Sequence, residues 1–180
     1  AISAALLSAA VGCGGDDTGP LADVESLVIL QREARGGMGD IFQYSSYIPG
    51  AKLIKLSPPT ADGTQTVICC DAQAATDPAL AGIDISGYDI SFDAREIVFS
   101  GSTGGNYGLY VLELETGTVE QLPTDMNRHA VSPIYLPGDK IMFTTTAVVE
   151  AGAPQHVDEY ERGTTMQLGV INRDGTGYQL

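Results

Sequence analysis

Residues 89–122 read DISFDAREIVFSGSTGGNYGLYVLELETGTVEQL, and their pattern decides the fold. Ser91 and Phe92 lead into a polar turn at Asp93, Ala94 and Arg95. Residues 96–100 (EIVFS) form a short run of β-branched and aromatic side chains, the composition of a buried strand. The next eight residues hold four glycines and offer few side chains to pack, which reads as a loop. A second strand spans 109–114 (LYVLEL). Glu115, Thr116 and Gly117 form a turn whose glycine can take positive φ, and 118–122 runs back out. The whole is a four-stranded antiparallel meander. It cannot bury both of its faces alone, so it requires neighbours of the same kind.

Such a neighbour follows directly. Residues 132–146 (SPIYLPGDKIMFTTT) repeat the pattern of DISFDAREIVFSGS, with Ile141 standing 44 residues after Ile97. Further on, LGVINRDGTGYQL aligns with YVLELETGTVEQL at an offset of 58, which places a loop insertion of 14 residues within 147–165. A repeat of this length falls in the range of propeller blades.

The segments SFDAREIVFS…LYVLELETGTVEQL and YLPGDKIMFTTT…LGVINRDGTGYQL resemble the repeat of TolB-type propellers, also called WD40-like or PD40 repeats. The wording LPGDKIMFTTT and INRDGTGYQL is also similar to the propeller of the hydrazine synthase α-subunit family. The first turn reads Asp-Ala-Arg and the second Pro-Gly-Asp, where the repeat usually has Pro-Asp-Gly. The resemblance implies an all-β fold, a partial β-propeller of about three four-stranded antiparallel blades at 21–68, 84–122 and 127–180. A propeller has 4–8 blades. The chain is therefore expected to be the N-terminal part of a longer one, whose open edges would favour association when isolated.

The first blade is more degenerate. Its expected strands are 26–31, 41–47, 51–56 and 64–68, and 69–82 reads as a linker. Cys69 and Cys70 are adjacent; they can bridge each other or remain thiols, and neither CxxC nor CxxCH occurs to attach a haem.

Residues 1–13 (AISAALLSAAVGC) resemble the end of a bacterial lipoprotein signal. The lipobox would be Ala10-Val11-Gly12-Cys13, with Ala10 where leucine is usual, and Cys13 would carry the lipid. The following GGDDTGP is a polar tether, so residues 1–20 stand apart from the fold. This implies a lipoprotein of the bacterial cell envelope, periplasmic or surface-exposed, that meets the membrane through its anchor only. The formal net charge of −14 argues against nucleic acid and against adsorption to anionic lipid. No apolar run reaches the ~18 residues of a transmembrane helix.

Few residues invite a chemical reading. His129 precedes a strand and is expected at a turn or rim, the alternative being the propeller's axial channel, where a histidine could bind a ligand. The insertion AVVEAGAPQHVDEYERGTT carries His156, Asp158 and Glu159, which are candidates for a partner contact or a weak divalent-metal site. Nucleophile-elbow, zincin, Walker and dinucleotide motifs are absent, and no cofactor is expected. Residues 174–177 (DGTG) read as a hairpin turn. Two functions fit: an envelope scaffold that binds a protein or glycan partner, or the propeller part of an enzyme, either a hydrazine synthase α-like haem protein or a propeller-gated serine peptidase. In the second case the catalytic part lies outside these residues.

Overall fold

In the strand Glu96–Ser102, alternate side chains leave the sheet on opposite faces, and both faces are buried. Ile97 and Phe99 point to one side and Val98 to the other, each with no measurable exposure. This is the signature of a sheet sandwiched between two others, as the sequence predicts for the central blade. The computed structural model describes residues 23–33, 47–146 and 167–180.

Among the described residues, ten strands form three antiparallel sheets. Blade 1 contains β1 (Leu27–Gln31), β2 (Lys52–Ser57) and β3 (Thr64–Cys69), in that order. Blade 2 is the meander β4 (Asp84–Ile90), β5 (Glu96–Ser102), β6 (Gly108–Glu113) and β7 (Val119–Gln121). Blade 3 has β8 (Ala130–Leu136), β9 (Lys140–Thr145) and β10 (Gln167–Asn172). Its fourth position is taken by a bridge in which Val170 and Gln179 exchange both backbone hydrogen bonds at 2.9 Å.

Two apolar layers join the blades. Leu53, Cys69, Ile85, Ile97, Phe99 and Leu112 fill the space between blades 1 and 2. Val98, Leu109, Val111, Tyr135, Ile141 and Phe143 fill the space between blades 2 and 3. At roughly 1.5–3 kcal/mol for each fully buried large apolar side chain, these layers are the main stabilising term. Polar ties reinforce both interfaces. The Tyr88 hydroxyl donates to the Val28 carbonyl at 2.6 Å, and the buried Ser100 hydroxyl donates to the Ala130 carbonyl at 2.7 Å. Tyr135 N–H donates to Asp89 Oδ2 at 2.8 Å, linking the first strands of blades 2 and 3.

The expected repeat is present, with a correction to its register. Ile97 pairs with Leu112 in blade 2, and Ile141 pairs with Ile171 in blade 3. Ile171 therefore stands 59 residues after Leu112, one more than the text alignment gives. The difference is absorbed in the next turn. Glu113 N–H donates to the Thr118 carbonyl, whereas Asn172 N–H donates to the Thr176 carbonyl, so the blade 3 turn is one residue shorter. Gly117 and Gly175 both sit at positive φ, at 72° and 81°, as their turns require. By this register Met142 and Leu168 on the far face of blade 3 match Val98 and Leu109, which blade 3 covers on blade 2. Leu168 is 59% exposed where Leu109 is fully covered.

Blade 1 departs most from expectation. A meander would pair 26–31 with 41–47, but β1 pairs directly with β2, Ile29 opposite Ile54. Tyr47 is outside any strand, and 41–46 lies outside the described residues. The linker is also more ordered than its composition suggests. It forms a one-turn helix α1 (Asp71–Ala74) and a 3-10 turn (Pro78–Leu80) whose start is capped by Asp77, which accepts from Ala79 N–H at 3.0 Å. The Gln73 amide donates to the Ile68 and Gly117 carbonyls, fastening the end of blade 1 to the outer turn of blade 2. Of the two alternatives for Cys69 and Cys70, the structure has them joined to each other, and both are buried in the layer between blades 1 and 2.

Candidate functional site

The turns that end β4 and β8 lie side by side because blades 2 and 3 pack face to face. Between them is a groove of about 530 Å³. Its wall on the blade 2 side is the turn Ser91–Arg95, and on the blade 3 side it is Leu136, Gly138 and Asp139. Tyr135, Glu96 and Arg173 line the groove between these turns.

The local sequence explains each turn. The Ser91 hydroxyl accepts from Arg95 and Glu96 N–H at 3.1 and 2.9 Å and donates to Asp93 Oδ1 at 2.8 Å. Asp93 also accepts from Arg95 N–H at 3.2 Å. These bonds, the Ser91 hydroxyl first, hold the Asp93 carboxyl below its usual range, so it stays ionised. Locking the turn in this way turns Phe92 outward, where it is 77% exposed. Among the described residues no other large apolar side chain is as exposed.

Arg173 forks onto Glu96, with Nε to Oε2 at 2.7 Å and Nη2 to Oε1 at 2.8 Å. Its third nitrogen reaches Glu120 at 3.3 Å. These bonds to Glu96 raise the guanidinium's already high pKa further. Tyr135 donates to Glu96 at 3.4 Å; burial, then the Glu96 charge, keeps its phenol protonated well beyond the ordinary range. This network couples blade 2 to blade 3 and fixes the groove's shape. By contrast Arg95, 83% exposed, meets Asp93 only at 3.8 Å.

The opposite ends of these strands hold a second polar cluster, built inward. Asp84 is 1% exposed at the start of β4. It accepts from the Tyr107 hydroxyl at 2.6 Å, from Ile48 N–H at 3.1 Å, and from Arg32 Nη2 and Nε at 3.1 and 3.3 Å. His129 adjoins Tyr107 of this cluster: its Nδ1 accepts from Tyr107 N–H at 3.2 Å, and its backbone N–H donates to Thr146 Oγ1 at 3.0 Å.

Burial lowers the His129 pKa, because desolvation disfavours the imidazolium, and protonation would also remove the Nδ1 acceptor. A histidine with a depressed folded pKa contributes stability that is fully present above the unfolded value near 6.5. That stability is lost as pH falls through 6.5 toward the folded value. The thermal midpoint is expected to drop as pH falls from about 7.5 to 5.5, with a shallower slope in His129→Gln. Parallel slopes would remove His129 as the cause.

Cys13, His156, Asp158 and Glu159 all lie outside the described residues. Among the described residues no three His, Cys, Asp or Glu side chains converge as metal ligands do. The groove beside Phe92 is a site that sequence reasoning missed. Its only sequence signal was an aromatic residue placed next to a polar turn.

No family model and no curated protein matches the chain. Solved structures do. A TolB-designated protein from Agrobacterium tumefaciens is 20% identical over 72% of this chain, with a TM-score of 0.50. TolB from Acinetobacter baumannii is 19% identical over 72% of this chain, with a TM-score of 0.46. The chain spans 40% and 26% of the length of these two proteins. The first likeness shows the fold: an all-β, partial TolB-like propeller.

Proposed function

We propose that this chain is a protein-binding propeller scaffold of the bacterial envelope, lipid-anchored at Cys13, that docks a partner on the turn face of blades 2 and 3. The observation that carries the reading is Phe92, an aromatic side chain held out to solvent beside a charged groove. Exposed aromatics with a rigid backbone are the usual anchors of protein contacts. The TolB-like fold supports a binding role by analogy of architecture, and the lipobox-like segment supports the anchor. The insertion with His156, Asp158 and Glu159 supplies a further contact region in this reading. The alternative, the propeller part of a haem enzyme or a gated peptidase, draws on resemblance alone.

A photo-crosslinking residue at position 92, in the full-length protein in its own cells, is expected to trap a discrete partner. The same residue at position 62, on the exposed turn of blade 1, should not. Phe92→Ala should weaken partner retention by tenfold or more, on the order of a hot-spot loss, while shifting stability by no more than about 0.5 kcal/mol. Equal adducts from both positions, or none from 92, would remove the reading.

A further inference from the structure

The groove has an unbalanced charge. Its lining includes four carboxylates, Asp93, Glu96, Glu113 and Asp139, and two guanidinium groups, Arg95 and Arg173. Arg173 is committed to Glu96 and Glu120. That leaves Asp93, Glu113 and Asp139 facing solvent against Arg95 alone. The excess matches the whole chain, which has 23 acidic and 9 basic residues. Next to this excess stands the face of Phe92, and an aromatic face attracts an organic cation within about 6 Å. The carboxylates do not converge into a set that could hold a metal ion. Acidic surroundings disfavour nucleic acid and anionic membrane surfaces alike.

Resting on the reading of this groove as a docking site, we infer that its occupant is a cationic segment of a partner protein, with lysine or arginine alternating with apolar residues. The cations lie against Asp139, Glu113 and the Phe92 ring, and an apolar side chain enters between the two turns. Arg95 at the rim repels a segment shifted out of place, which gives the groove a preferred register.

The test uses the full-length protein and a fluorescent peptide in which arginine and leucine alternate, with a glutamate–leucine peptide as its counterpart. The arginine peptide should bind and the glutamate peptide should not. Asp139→Asn combined with Glu113→Gln should weaken binding about fivefold, as expected for exposed ion pairs, and Phe92→Ala about tenfold or more. Both substitutions keep the turns: asparagine tolerates the positive φ of 54° at position 139, and glutamine still accepts from the Thr116 hydroxyl. Asp23→Asn with Asp62→Asn, equal in charge but remote from the groove, should change affinity less than about twofold. Equal weakening by the two pairs would mean attraction by the whole molecule and would overturn the inference. Displacement of the peptide by millimolar calcium but not by equal ionic strength of sodium chloride would overturn it too. The docking reading fails separately. If the crosslink from position 92 persists under excess arginine peptide, docking stands and the cationic occupant falls; if no crosslink forms, docking itself falls.

Discussion

Asp84→Ala is expected to destabilise the chain by about 3–5 kcal/mol, the cost of removing one member of a buried ion pair. Asp84 is the point at which blade 1, the segment before β2 and blade 2 meet. Its two oxygens accept from the Arg32 guanidinium, Ile48 N–H and the Tyr107 hydroxyl. Alanine removes the shared acceptor from all three groups, two of which, Tyr107 and Arg32, are largely out of water. A domain stable by 5–15 kcal/mol loses much of its margin to such a change. Asp84→Asn keeps an oxygen for Tyr107 or Ile48 and loses the charge, so its cost should be smaller, about 1–3 kcal/mol. The measurement is the urea midpoint for both variants and for Tyr107→Phe. The Tyr107→Phe and Asp84→Asn effects should be non-additive, because the two residues share a hydrogen bond of 2.6 Å. An Asp84→Ala midpoint within 1 kcal/mol of the parent would show that the cluster does not tie the blades.

The central blade was legible in the sequence because local signals agree there. Strand composition, the Asp93–Arg95 turn and Gly117 all point to one meander, and β4 to β7 follow it. The Ile97–Ile141 offset likewise survives as equivalent positions in β5 and β9. The 58-residue offset did not survive for β10. Similar letters around the Gly-Thr turns dominate a text alignment, whereas pairing follows which residues face the core. Leu112 and Ile171 are both buried, and that fixes the register. The Arg32–Asp84 pair joins residues 52 apart and depends on how two sheets stack, which no local pattern encodes. The groove beside Phe92 is a product of the same stacking. Its lining comes from turns belonging to two blades, whereas the sequence offered contact candidates in the 147–165 insertion, whose length makes it stand out and whose residues lie outside the described ones. Cys69 and Cys70 could be weighed as thiols or a bridge from their adjacency alone; their burial between blades 1 and 2 depends on tertiary packing.

Phe143→Ala should cost about 3–5 kcal/mol, near the top of the range for a buried aromatic, because the space it leaves cannot close. Phe143 is 1% exposed in β9, directly across from Gly169 in β10. In blade 2 the equivalent Phe99 pairs with Tyr110, and their rings stack at 5.4 Å. Blade 3 solves the same position differently. Gly169 lets the Phe143 ring lie over the β10 backbone, and Tyr178, next to the Val170–Gln179 bridge, supplies the stacking ring at 6.0 Å. A Cβ added at Gly169 would meet Phe143 Cζ at 2.6 Å. Gly169→Val alone should therefore overpack the layer and cost about 1–3 kcal/mol. With Phe143 cut back to alanine, the valine enters the vacated volume instead, and its β-branch suits a strand. The double variant should be more stable than Phe143→Ala by about 1 kcal/mol or more, a coupling of opposite sign to the single effect of Gly169→Val. Chemical denaturation of the four proteins measures it. Strict additivity would mean that the ring and the glycine do not share one site, and that the two blades do not solve a common packing problem in two ways.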